Sequence, residues 1–169
     1  MNVSDAIIDS LTENGVDTVF GIPGKQTLPL NEVITERDDI RFVMARHETN
    51  VSHQAWGFAE TSGRMAATVV IPGPGDMNAM NGLKNALNDN TALLHIAVET
   101  EPEIRGGDGI HETPTDTYDN VVKENMTVET PQSTVADIER AIEYGFEVRD
   151  IFEDDFNAEE TMVVYTGQG

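Results

Sequence analysis

RFVMARHETNVSHQAWGFAETSGRMAATVVIPGPGDMNAMNGLKNALNDN, running from Arg41 to Asn90, is the stretch whose reading decides the fold. IRFVMA at 40–45 is apolar almost throughout, the pattern of a strand buried on both faces. HETNVSHQAWGFAETSG reads as a helix closed by Gly63, and MAATVVI as a second buried strand. A glycine-proline loop follows and opens a helix over residues 76–88, which carries the small residues Ala79, Gly82 and Ala86. This order places Glu48, at a helix start, and the loop Gly73-Pro74-Gly75 at the same carboxyl edge of a parallel sheet. Open α/β sheets bind ligands at that edge.

The flanking sequence continues the alternation. Val3, Ile7, Ile8 and Leu11 share one helical face of VSDAIIDSLTEN, and Gly15 stops that helix. VDTVFGIPG is a short strand ending in a turn at Gly21 to Gly24, and Leu28 to Ile34 is the next helical piece. ALLHIAVE at 92–99 is a fourth parallel-type strand. From Thr100 to Thr117 the pattern gives way to a Gly-, Pro- and Thr-rich loop. A short strand at 125–129, a helix after Pro131 that bears Ile138, Ala141, Ile142 and Gly145, and a last strand in TMVVYTGQG complete the chain. The expectation is an α/β fold, a three-layer αβα sandwich with a mainly parallel sheet of about six strands. Residues 1–169 suit a single domain.

Charge separates this chain from an ordinary domain. There are 31 acidic against 10 basic residues, a formal net charge of -21, spread along the whole length. Such a surface repels itself at low salt, and screening relieves the repulsion. The expectation is a protein adapted to a salt-rich, halophilic cytoplasm. The same charge excludes nucleic acid as a partner, because no basic patch exists to neutralise phosphates. The amphipathic, acidic first residues do not read as a signal peptide, and no apolar run is long enough to span a bilayer, so no membrane association is expected. With no cysteine, neither a disulfide framework nor a thiolate nucleophile is available.

Few residues offer chemistry. Glu48 falls just past a strand, where a helix N-terminus favours a carboxylate. It reads equally as a capping acid or as a sheltered carboxylate exchanging a proton with a ligand nitrogen. His47 beside it reads as an orienting or packing residue rather than a catalytic partner. PGPG at 72–75 is a tight loop that allows close backbone approach at a helix start, and GIPG at 21–24 is a weaker instance. Neither is a dinucleotide fingerprint or a P-loop. None of His47, His53, His95 and His111 has metal-ligand spacing. His95, inside a strand, reads as core and His53 as structural, whereas His111, in the long loop with Glu112, is the better site candidate. Trp56 and Phe58 read as packing residues, EDDFNAEE at 153–160 as a solvated acidic turn, and no Gly-x-Ser-x-Gly elbow is present.

As an ordered set, GVDTVFGIPG, RHETNVSHQAWGFAETSGR, VVIPGPGDMNAMNGLKNALNDN and GIHE followed by VVK resemble one family. It is the N-terminal pyrimidine-binding domain of thiamine-diphosphate-dependent enzymes, in the acetolactate synthase (acetohydroxyacid synthase) large-subunit branch. The resemblance covers residues 1–130 closely and 131–165 in outline. It implies that Glu48 is the catalytic glutamate, hydrogen-bonded to the aminopyrimidine ring and promoting its imino tautomer. It implies cofactor-binding walls at Ile22, Pro23 and Gly24 and at Pro72, Gly73, Pro74 and Gly75, with Asn78 and Asn81 facing the cleft or its interface. It puts His111 where the family has a glutamine and Lys123 where the family has a lysine, both on the substrate side.

The resemblance further implies thiamine diphosphate as cofactor, with Mg2+ held by a partner domain, and a small 2-oxo acid as substrate. The diphosphate- and flavin-binding domains are not recognisable here. GDG at 107–109 lacks a downstream asparagine partner, no metal ligand is expected on this chain, and FAD is not expected on it alone. The expectation is a cytoplasmic, oligomeric part of an acetolactate synthase-like carboligase or decarboxylase. It would form a homo-oligomer, or a hetero-oligomer with a chain carrying the diphosphate-binding domain, burying Met77, Met80 and Trp56. Two other readings stand beside it: the pyrimidine-domain subunit of a split sulfopyruvate- or phosphonopyruvate-type decarboxylase, and a non-catalytic relative with a regulatory or scaffold role. An unrelated flavodoxin-like ligand module is a weaker third.

Overall fold

The computed structural model describes residues 3–128, 131–151 and 161–166. Five α-helices and six strands follow one another along them, alternating except between β4 and β5: α1 (Val3–Glu13), β1 (Thr18–Gly21), α2 (Leu28–Thr35), β2 (Arg41–Met44), α3 (Glu48–Ser62), β3 (Ala66–Val70), α4 (Pro74–Asn88), β4 (Leu93–Val98), β5 (Glu124–Val128), α5 (Pro131–Ile151) and β6 (Thr161–Thr166). The strands form one sheet in the order β2-β1-β3-β4-β6-β5. Every neighbouring pair runs parallel. The fold expected from the sequence is therefore present.

Strand alternation sorts side chains between two layers. Ala67 and Val69 of β3 join Leu94, Ile96 and Val98 of β4 in one cluster, closed by Ile7, Ile8 and Leu11 of α1, Leu30 and Ile34 of α2, and Ile138, Ala141 and Ile142 of α5. Ala66 and Val70 point the other way, with Phe20 and Leu93, against Val51, Ala55 and Ala59 of α3 and Ala79 and Ala86 of α4. Two helical layers thus cover the sheet. Gly15, at φ 79°, follows the end of α1, and Gly63, left-handed at φ 69°, caps α3 by donating its N–H to the Ala59 carbonyl.

One strand departs from its sequence reading. IRFVMA looks fully buried, yet β2 is the sheet edge, with Arg41 and Met44 exposed and Phe42 and Val43 only half-buried. A continuous apolar run does not say how many faces of a strand are covered, and among the described residues no strand pairs the outer side of β2. The helix read over 76–88 starts two residues earlier, at Pro74, where a missing N–H costs nothing. The acidic stretch 153–160 lies outside the described residues.

The α3–α4 contact is unusually close. Gly82 of α4 meets α3 where a Cβ would lie 2.3 Å from Ser52 Oγ and 2.9 Å from the His53 backbone nitrogen. The Thr49 hydroxyl donates to the Asn78 carbonyl at 2.9 Å, and His53 Nε2 meets Asn85 Nδ2 at 3.2 Å. His53 is structural, as its sequence position suggested.

Two outcomes follow from this packing and charge. Gly82→Ala gains about 1 kcal/mol of helix propensity but must push two backbones apart, so it should destabilise by roughly 1–3 kcal/mol in chemical denaturation. Stabilisation instead would contradict the contact. With a formal charge of -21 and few cations, Tm should climb steadily from 0.1 M to molar KCl, at or beyond full Debye screening of surface charge. A flat salt dependence would show that self-repulsion is minor.

Candidate functional site

The sheet order creates the site. From β1 the chain moves outward to β2, then returns past β1 to β3, so the winding reverses between β1 and β3. The loops leaving these two strands diverge to opposite helical layers and open a crevice at their carboxyl ends. In register, Gly21 of β1 stands between Met44 of β2 and Val69 of β3. The segments that follow these positions are Ile22–Gly24, Ala45–Glu48 and Ile71–Gly75.

Glu48 is the first residue of α3. His47 is the N-cap, its ring Nδ1 accepting the Thr49 N–H at 3.3 Å, so His47 orients the helix start. The half-buried Glu48 carboxylate receives Asn78 Nδ2 on Oε2 at 3.2 Å. Because Thr49 also holds the Asn78 carbonyl, this amide is tied to α3 at two points. The other carboxylate oxygen, Oε1, lies on the Gly75 side, where a Cβ on that glycine would stand 3.6 Å away. The structure thus brings together Glu48, Gly75 and Asn78 from two helices far apart in sequence.

Two of the loop glycines face a side chain of the protein itself. A Cβ on Gly24 would lie 2.3 Å from Ile71 Cγ2, and one on Gly75 would lie 2.9 Å from Ile71 Cγ1. Both glycines make room for the Ile71 side chain, which is thereby wedged between the two loops. The sequence reading missed Ile71; its signal is a β-branched residue between a strand and PGPG. Ile22 packs on the α3–α4 side of the sheet, Pro72 is buried, and Pro23 and Pro74 are exposed. Gly73 has φ 70°, a conformation that favours glycine, and a Cβ there would come 2.9 Å from that of His111.

That contact puts His111 beside the PGPG loop, exposed, with its carbonyl accepting the Thr100 hydroxyl at 2.8 Å. Asn81 is exposed one turn along α4 from Asn78. Lys123 is not brought to the site. It directly precedes β5, whose first residue pairs with Met162, itself level with Leu94 near the start of β4. Lys123 therefore stands at the amino edge of the sheet, opposite Glu48, its ammonium 3.5 Å from the Tyr144 carbonyl. Motif order along the chain does not reveal which edge a strand's first residue occupies.

Behind PGPG lies a buried polar cluster. Asp76 and His95 are fully buried, with Asp76 Oδ1 3.4 Å from His95 Nε2. His95 Nδ1 meets the Thr68 hydroxyl at 2.6 Å, and Nε2 lies 3.2 Å from the Tyr118 hydroxyl. The Thr113 hydroxyl donates to Asp76 Oδ2 at 2.6 Å and accepts the Gly73 N–H at 2.7 Å. His95 is core, as read, but it is a polar core. Asp76 escaped notice because an acid in a first helical turn reads as dipole complement. Among the described residues no group of three His, Cys, Asp or Glu is placed to hold a metal ion, and no helix is long and apolar enough to cross a membrane.

Glu99 borders this cluster and accepts the Thr113 N–H at 3.0 Å. Burial pushes its carboxyl above the usual 4.5; the Thr113 N–H opposes the rise and the nearby Asp76 adds to it. A carboxyl raised in the folded state contributes stability below its ordinary value and loses it as pH rises through the folded value. Glu99→Gln should therefore flatten the decline in stability from pH 4.5 upward, at equal or higher stability at pH 7. Urea melts of both proteins across that range check this; parallel pH profiles would contradict it.

The family described as thiamine pyrophosphate enzyme, N-terminal TPP binding domain, matches residues 1–121. The acetolactate synthase large subunit of Lactococcus lactis subsp. lactis is 37% identical over 112 residues, 66% of this chain and 20% of that protein. The chloroplastic acetolactate synthase of Arabidopsis thaliana is 33% identical over 144 residues, 85% of this chain and 21% of that protein. The chain thus spans about a fifth of the length of these relatives. A parallel αβα sheet with a carboxylate at its switch point and a family match over most of its length make this chain a member of the thiamine pyrophosphate enzyme N-terminal domain family.

Proposed function

We propose that this chain is the pyrimidine-side, thiamine-diphosphate-binding part of an acetolactate synthase-like enzyme acting on 2-oxo acids. The observation that carries the reading is Glu48 in the switch-point crevice, with Oε2 fixed by Asn78 and Oε1 on the side of the Gly75 wall. A half-buried carboxylate with one oxygen held is suited to share a proton with a ring nitrogen through the other. Ile71, which meets the same Gly75 wall, supplies apolar surface for a flat heteroaromatic ring. The residues present fit an aminopyrimidine.

When bound, thiamine diphosphate would supply an acidic thiazolium carbon as the carbon nucleophile toward a 2-oxo acid. Glu48 Oε1 holds and exchanges the proton at the pyrimidine ring nitrogen. Asn78 keeps the carboxylate from swinging away, and His47 fixes the helix start that carries it. Gly24, Gly73 and Gly75, by admitting Ile71 and His111, shape the crevice wall. His111 offers a ring N–H to the substrate carboxylate, in the place of a neutral amide. The Mg2+ and diphosphate belong to a further domain or partner chain, docking at the carboxyl edge, where Met44 and Met77 are 67% and 55% exposed. The setting is cytoplasmic and salt-rich, and the overall reaction is decarboxylation of one 2-oxo acid with transfer to a second.

Purification from the source organism in molar KCl, followed by pyruvate turnover with thiamine diphosphate and Mg2+, tests this reading. Activity should accompany a second diphosphate-binding domain or chain, and Glu48→Gln should lower kcat at least about a hundredfold, the scale of a lost acid-base group. Full activity in the Glu48→Gln complex would overturn the proposal.

A further inference from the structure

We propose that Asp76 and Thr113 form a latch that fixes the Gly73 loop and the His111 loop relative to each other, and that both are positioning residues for the Glu48 crevice. Its functional consequence rests on the reading above; its physical basis does not. Thr113 has one hydroxyl proton. At 2.6 Å from Asp76 Oδ2, to which it donates, that proton is committed. The hydroxyl lone pairs are left to receive the Gly73 N–H at 2.7 Å, so the direction of both bonds is set. The Thr113 N–H is committed as well, to Glu99 Oε1 at 3.0 Å. Thr113 is thus held on its side chain by one carboxylate and on its backbone by another.

The latch stands on rigid elements. Asp76 is fully buried in the first turn of α4, and its second oxygen faces His95 of β4, whose other ring nitrogen meets Thr68 of β3. Both loops are therefore referred to the same two central strands. Gly73 is the residue that turns the chain from β3 into α4, and two residues further on Gly75 flanks Glu48 Oε1. His111 lies two residues before Thr113 and packs its Cβ against Gly73. Releasing Thr113 frees the polar tie that, among the described residues, joins the glycine loop to the segment carrying His111, while the apolar clusters remain. An ordinary packing role for Thr113 would be served equally by valine; the latch is not, because valine neither accepts from Gly73 nor donates to Asp76.

Amide hydrogen exchange, followed by NMR on the full chain without cofactor, separates the two. Thr113→Val should speed exchange of the Gly73 amide by roughly five- to tenfold, the scale of one lost buried hydrogen bond, and loosen the Gly106–Glu112 amides with it. Thr113→Ser, which keeps the hydroxyl, should restore Gly73 to within about twofold. Amides of β3 and β4 should stay as slow as in the wild type. Should Thr113→Val fail to fold, Thr113→Ala is read in the same way. Unchanged Gly73 exchange in the folded variant, or a uniform rise across the core, would overturn the latch. Because no thiamine diphosphate is present, failure of the cofactor reading leaves this result standing, and failure of the latch leaves the Glu48 experiment unaffected.

Discussion

The reversal of winding between β1 and β3 is the constraint on which the rest of the structure depends. A parallel sheet needs a crossover after every strand, and the direction of each crossover decides which loops meet. Here β2 lies outside β1, and β3 lies on its other side. Three segments then meet at one carboxyl edge: Ile22–Gly24 after β1, Ala45–Glu48 after β2, and Ile71–Gly75 after β3. Without the reversal the loops after β1 and β3 would be separated by a strand rather than leaving adjacent strands.

The site is then narrowed by packing. α3 and α4 share one face of the sheet and approach closely because Gly82 has no side chain. That proximity lets Asn78, in the second turn of α4, reach the first residue of α3. The wall glycines belong to the same logic. Gly24 and Gly75 are filled by Ile71, and Gly73 by His111, so the crevice is lined by interlocked groups rather than by bare backbone. Preorganisation of this kind keeps a carboxylate in one position at no cost during reaction. The Asp76–His95 pair extends the principle behind the loop: buried polar side chains have their hydrogen bonds supplied from β3, β4 and the long loop, as burial demands.

Much of this is legible in the sequence because it rests on local rules. Alternating apolar runs and capped helices gave the αβα layers, and strand-helix order alone placed Glu48 and PGPG at one edge. What escaped depends on tertiary placement. The apolar run of β2 does not say that the strand lies at the edge. Nothing local in LLHIAV tells that His95 finds an aspartate 19 residues earlier in the chain. The position of β6 between β4 and β5 puts Lys123 at the far edge, a fact set by a pairing that sequence periodicity does not contain. The use of Gly24 and Gly75 is likewise invisible, since a glycine reads the same whether a ligand or an isoleucine fills its space.

The central claim is that Glu48 in this crevice governs proton loss from a bound thiazolium. The direct measurement is the rate of hydrogen–deuterium exchange at the thiazolium carbon of thiamine diphosphate, followed by NMR in the Mg2+-containing complex purified with its diphosphate-binding domain. The account predicts exchange far faster than in free cofactor, slowed at least about a hundredfold by Glu48→Gln while the cofactor remains bound. Equal exchange rates in the two complexes would contradict it.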